Sequence, residues 1–121
     1  MTTAGLGMDL IEIARIERAL DRRPRLADRL FTVAEQDYAA SMGRPGRHLA
    51  ARFAAKEAVV KAMALGPGTT LRQIEVLAGV PPEVRLHDEV GRIAEKRGLA
   101  VRVSLTHERE MAAAVAIAEP A

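Results

Sequence analysis

Residues 47–65 are alanine-rich and contain neither proline nor glycine, a stretch that predicts one long helix, stopped by Gly66-Pro67-Gly68. In a chain of 121 residues such a helix is the element on which the rest must pack. Its interior reads Arg52-Phe53-Ala54-Ala55-Lys56-Glu57-Ala58-Val59-Val60-Lys61. Alanines surround Glu57, so backbone or a ligand can approach its face closely, and Phe53 lies one turn back on the same side.

The flanking segments supply the sheet. Residues 6–11 are apolar and suit a strand, leading into a helix whose apolar positions Ile13, Ile16 and Leu20 recur at helical spacing until Pro24 interrupts it. Residues 26–31 predict a short helical turn. Thr32-Val33-Ala34-Glu35 is a capping box and starts a helix that ends near Ser41. Residues 74–77 and 84–86 predict a hairpin around Gly79-Val80-Pro81-Pro82. A helix over 87–97 ends at Gly98, and residues 99–103 and 112–118 predict an antiparallel pair joined by a turn over 106–110. The expectation is a single α+β domain over residues 1–121, an antiparallel sheet packed on one long helix.

Composition limits the chemistry. Without cysteine there is neither a disulfide nor a thiolate metal site, so a metal must take oxygen or histidine ligands, which favours a hard cation such as Mg²⁺. The first twenty residues lack a basic n-region followed by an apolar run, and no stretch approaches about 18 uncharged apolar residues, so a cytoplasmic protein without a membrane segment is expected. The net charge is only +2, yet Arg15, Arg18, Arg22, Arg23, Arg25 and Arg29 are offset only by Glu17, Asp21 and Asp28. That is a basic surface for an acidic partner, phosphate or protein, or in part simply a solvated face. Lysine occurs only at Lys56, Lys61 and Lys96. Two in one helical run either mark sites needing a compact ammonium or cluster by chance.

Four residues stand out as possible chemistry. Asp9 sits between Met8 and Leu10 in an apolar strand, where a carboxylate must cap the following helix, find a partner or bind a metal. Glu57 and Lys61, four apart, share a helix face, either as an ordinary surface pair or as an acid and a cation for catalysis. His107, in Ser104-Leu105-Thr106-His107-Glu108, suits either a phosphate-binding corner or a tight turn. No nucleophile elbow, P-loop or dinucleotide fingerprint occurs.

Together these segments resemble the holo-acyl-carrier-protein synthases, the short type of 4′-phosphopantetheinyl transferase. Gly5-Leu6-Gly7-Met8-Asp9-Leu10 with Glu12 and Arg15-Ile16 is similar to that family's first motif. Phe31-Thr32-x-x-Glu35 resembles its linker, Arg52 to Ala62 its signature, and Val103-Ser104-Leu105-Thr106-His107 with the alanine-rich strand its last motif. Gly79-Val80-Pro81-Pro82 departs from the usual glycine-basic-proline turn.

The resemblance implies Mg²⁺-dependent transfer of 4′-phosphopantetheine from coenzyme A to a serine of an apo acyl carrier protein, of fatty-acid or polyketide type. It implies that Asp9 and Glu57 hold the metal, that Glu57 removes the serine proton directly or through a water on the metal, and that Lys61 stabilises the phosphoryl charge or protonates the leaving group. Arg52, Lys56, Thr106 and His107 are implied to bind coenzyme A, and Arg15, Arg22, Arg25 and Leu26 to dock the carrier. It further implies a homotrimer with the coenzyme cleft at subunit interfaces.

Two rival classes are compatible with parts of this sequence. A nucleic-acid-binding module would use the arginine cluster, but an aromatic content of 2% argues against base stacking. An inactive trimeric scaffold would not need Asp9, Glu57, Lys61 and His107 together. Neither a nucleic-acid nor a membrane partner is expected.

Overall fold

In a computed structural model, residues 5–121 are described; residues 1–4, the start of the segment expected to lack a leader pattern, lie outside the described residues. The chain opens with β1 (Gly5–Glu12), followed by α1 (Ile13–Arg22), α2 (Leu26–Leu30), α3 (Val33–Ala40) and α4 (Pro45–Ala62). A 3₁₀ turn at Leu71–Gln73 leads into β2 (Ile74–Leu77) and β3 (Glu83–Leu86), then α5 (Asp88–Arg97), β4 (Leu99–His107) and β5 (Met111–Pro120). The α+β class holds. The sheet is a three-stranded antiparallel one in the order β1-β5-β4, and β2 and β3 form a separate hairpin.

Alanine decides how the long helix meets the sheet. Strand β5 alternates, turning Ala112, Ala114, Ala116 and Ala118 into the core and leaving Val115 exposed. Helix α4 answers with buried Ala50, Ala51, Ala54, Ala55, Ala58 and Ala62. On β1 the approach is closer still: a Cβ added to Gly7 would stand 1.9 Å from the Ala58 carbonyl oxygen, and one added to Gly5 1.9 Å from that of Ala62. Only glycine lets strand backbone lie on helix backbone in this way. A smaller core of Phe31, Ala39 and Leu49 sits under α3.

Local signals held where they were self-contained. The capping box is present: the Glu35 amide donates to Thr32 Oγ1 and the Thr32 amide to Glu35 Oε1. Gly98 closes α5 in the left-handed region, at φ 66°. Helix α4, expected over 47–65, instead spans Pro45–Ala62. Its start is earlier because proline is tolerated in the first turn. Its end is earlier because Ala64 takes φ 52°, while Ala64 N donates to Lys61 O and Leu65 N to Val60 O. This is a Schellman closure without its usual glycine. Strand β4 also runs longer than expected, through Thr106 and His107, so the β4–β5 turn occupies residues 108–110. There the Glu108 carboxylate accepts from the amides of Glu110 and Met111.

Candidate active site

The glycine contacts of β1 with α4 bring Asp9 to Lys61 and Glu57. Asp9 shares the inward face of β1 with Gly7 and Ile11 and does not cap α1, whose N-cap is Glu12 with no side-chain bond. Lys61 Nζ donates to the Met8 carbonyl at 2.7 Å and to Asp9 Oδ1 at 3.3 Å. The ammonium therefore spans strand and helix, with Lys61 itself largely exposed.

Glu57 forms one wall of an open cleft of about 650 Å³, shared with Phe53, Val60, Leu26, Arg29 and the loop around Thr69 and Thr70. Its carboxylate makes no hydrogen bond among the described residues. Burial raises its pKa above the ordinary glutamate value; the Asp9 charge adds to this, and Lys61 opposes it. An unpaired carboxylate with raised basicity, facing a cleft beside a second acid and a cation, can accept a proton or share a cation with its neighbour. No group of three or more His, Asp or Glu suited to a metal occurs among the described residues. Asp9 and Glu57 are the two carboxylates at this end of the cleft, fewer than a closed metal site needs.

A second cleft, about 660 Å³, shares no lining residue with the first. It is walled by Arg52, His48 and Tyr38 on one side and by His107 and the Gly79–Pro82 turn on the other. Arg52 is largely buried: its Nε donates to Val76 O and its Nη1 to His48 O, and the guanidinium lies 4.6 Å from the centre of the Tyr38 ring. Burial lowers its pKa, with Tyr38 and Glu35 opposing.

Two of the expected coenzyme ligands, Lys56 and Thr106, line neither cleft. Lys56 is 0% exposed, and its three N–H donors are taken by Glu35 Oε1, Leu71 O and Ile74 O. Its donors are all engaged within the chain, and it packs in the core. Thr106 lies on β4 next to His107, so strand alternation turns it to the opposite sheet face, and the two do not form one corner.

The arginine segment adjoins the first cleft. Arg25 and Leu26 line a shallow groove with Arg23, Pro24 and Arg29, and Leu26, Arg23 and Arg29 continue into the Glu57 cleft. Arg15 and Arg22 are exposed and line neither. Sequence reasoning left out Arg23, Arg29 and His48 as site residues. Arg23 and Arg29 lie three positions either side of Leu26, and His48 lies one turn before Arg52, spacings that could have pointed to them.

Residues 5–117 match the family model of the 4′-phosphopantetheinyl transferase superfamily. The chain is similar to the holo-[acyl-carrier-protein] synthase of Moorella thermoacetica, 47% identical over 117 residues that cover 93% of this chain and 91% of the relative. Among solved structures it resembles the ACPS–CoA complex of Chronobacterium ammoniagenes, with TM-score 0.87, 25% identity and 99% of each chain covered. It also resembles the Bacillus anthracis holo-(acyl-carrier-protein) synthase in complex with CoA (3′,5′-ADP), with TM-score 0.77, 30% identity and coverage of 97% and 96%.

Proposed function

The chain belongs to the 4′-phosphopantetheinyl transferase superfamily, and on that premise we propose that it transfers 4′-phosphopantetheine from coenzyme A to a serine of an apo acyl carrier protein, releasing adenosine 3′,5′-bisphosphate. The observation that carries this reading is Glu57, unpaired on the wall of an open cleft and flanked by Asp9 and Lys61.

Each residue then has a task. Glu57, made more basic by burial and by Asp9, takes the proton from the attacking serine hydroxyl. Lys61, anchored by Met8 O and Asp9, holds positive charge where the phosphoryl group and its leaving group carry negative charge. Arg52 and His107 bind coenzyme phosphates from the second cleft. Asp9 and Glu57 suit Mg²⁺: both are hard oxygen donors, Glu57 feels the Asp9 charge, and the ion takes one or two protein carboxylates and completes its shell with phosphate and water. When bound, the metal neutralises charge on the pyrophosphate oxygens.

We read the assembly as a homotrimer with coenzyme clefts at subunit boundaries. The outer face of the three-stranded sheet presents Leu6, Met8 and Leu10 at 73%, 68% and 63% exposure, with Val115 beside them. An apolar patch of that kind calls for a partner. The two clefts are separate walls on one chain, and a boundary between copies is where one coenzyme could meet both. Thr106, on the outer sheet face, would serve a coenzyme only at such a boundary.

Carrier docking is assigned to Arg15, Arg22, Arg25 and Leu26. Leu26 supports this best, because it lines both the basic groove and the Glu57 cleft. A single transferase domain over residues 1–121 is consistent with one main core that draws on β1, α4, β2, α5, β4 and β5. No described helix is long and apolar enough to cross a membrane; a cytoplasmic location follows from the use of coenzyme A and a carrier protein. Incubation with apo acyl carrier protein, coenzyme A and Mg²⁺, read by intact mass, should add one phosphopantetheine group to the carrier. No gain with several carriers would overturn the reading.

A further inference from the structure

The second cleft holds two imidazoles rather than one. His48 is only 9% exposed and stands edge-on between Tyr38 and His107, with ring centres 5.7 Å and 5.6 Å apart. Neither imidazole makes a side-chain hydrogen bond among the described residues. The charged and titratable groups facing His48 are Arg47 and Arg52 from its own helix, His107 from β4 and Tyr38 from α3; no carboxylate acts on it. Arg47 adds a second sign of a missing partner, since its Nε is buried with no hydrogen-bond acceptor.

Arg52 and two imidazoles in the wall, with the Arg47 charge acting on His48 and no acid among the lining residues, give this cleft one sign of fixed charge, which an anion completes. Burial, and then the charges of His107, Arg47 and Arg52, hold His48 below the usual histidine value, so the ring is neutral near neutral pH. A phosphate seated here reverses the electrostatic part of that balance. Its negative charge favours the imidazolium, which gains an N–H donor to offer it.

We propose that His48 is the proton-accepting member of this anion subsite, so that seating a phosphomonoester beside His107 is coupled to uptake of one proton from solvent by the His48 ring. No other bond forms or breaks. The proposal rests on the coenzyme reading, in which Arg52 and His107 meet a phosphate, and adds a residue and a proton that this reading does not require. It also gives the neutral empty ring a purpose, because a further cation packed against Arg52 without an anion would be costly.

The test is calorimetric titration of the full chain with adenosine 3′,5′-bisphosphate near neutral pH, in two buffers of different ionisation heat, to count protons taken up. In the wild type, uptake should exceed that of the ligand phosphate alone, and affinity should tighten by up to about tenfold per pH unit lowered while His48 titrates. His48→Phe, which keeps the edge-on packing, and His48→Gln should both bind with less uptake and a flatter pH profile. As a readout independent of any variant, the His48 ring proton resonance should titrate at higher pH with ligand bound than without. Binding with equal uptake in wild type and His48→Phe, or an unmoved His48 titration, overturns this proposal and leaves the coenzyme reading standing. Absence of any binding overturns both.

Discussion

Lys56 Nζ lies 2.8 Å from Glu35 Oε1, and neither side chain reaches solvent. Glu35 is already spoken for on both oxygens, accepting from the Thr32 amide through Oε1 and from the Val76 amide through Oε2. The ion pair therefore ties α4 to the start of α3 and to β2. It sits next to Glu57 in the sequence yet takes no part in the cleft.

Lys56→Met should cost stability rather than coenzyme affinity. Removing one member of a buried ion pair leaves the other charge uncompensated, at about 3–5 kcal/mol. Urea denaturation should show that loss, and the double variant Lys56→Met/Glu35→Gln should recover part of it. Coenzyme KM in the folded protein should stay near the wild-type value. A large rise in KM with unchanged stability would return Lys56 to the ligand set.

Glu75 gives a pH dependence with a definite sign. Burial alone would raise its pKa, but bonds from Thr32 Oγ1 at 2.6 Å and at His87 Nε2 at 3.0 Å outweigh it and hold the carboxyl below its ordinary value. The folded state thus binds this proton less readily than the unfolded chain. The contribution to stability is present above the unfolded value, about 4.3, and is lost as pH falls through the lower folded value. Denaturation measured across that acid range should lose less stability in Glu75→Gln than in the wild type; parallel curves would contradict the assignment.

The outer sheet face can be tested by charge. Met8→Asp places a carboxylate in the centre of the Leu6, Met8 and Leu10 patch without touching the Met8 carbonyl that holds Lys61. Sedimentation should show trimers for the wild type and single chains for the variant, with transfer activity lost in parallel. A wild type that sediments as a monomer with full activity would rule out clefts shared between copies.

Local chemistry was legible in the sequence and long-range pairing was not. The capping box and the Gly98 stop needed only their own residues. Lys56 takes its expected coenzyme role from the family resemblance alone, and consecutive residues on a helix point about 100° apart, so Lys56 enters the core while Glu57 faces the cleft. Thr106 and His107 share an expected turn and the family's last motif, and strand alternation parts them because β4 includes both. For His48 the sequence offers only its place one turn before Arg52, because its ring partners come from α3 and β4. Spacing alone puts Glu57 and Lys61 on one helix face, but joining Asp9 to them took the family resemblance, since the contact that does so is Gly5 and Gly7 lying on the backbone of α4.

Deprotonation of the carrier serine by Glu57 is the step on which the proposed transfer turns. It is tested most directly by the rate of phosphopantetheine transfer in Glu57→Gln, followed by intact mass of the carrier at saturating coenzyme A and Mg²⁺, with circular dichroism and thermal melting to establish the fold. The expected result is a folded protein whose transfer rate falls by about 10²–10⁴. Turnover at the wild-type rate would contradict it.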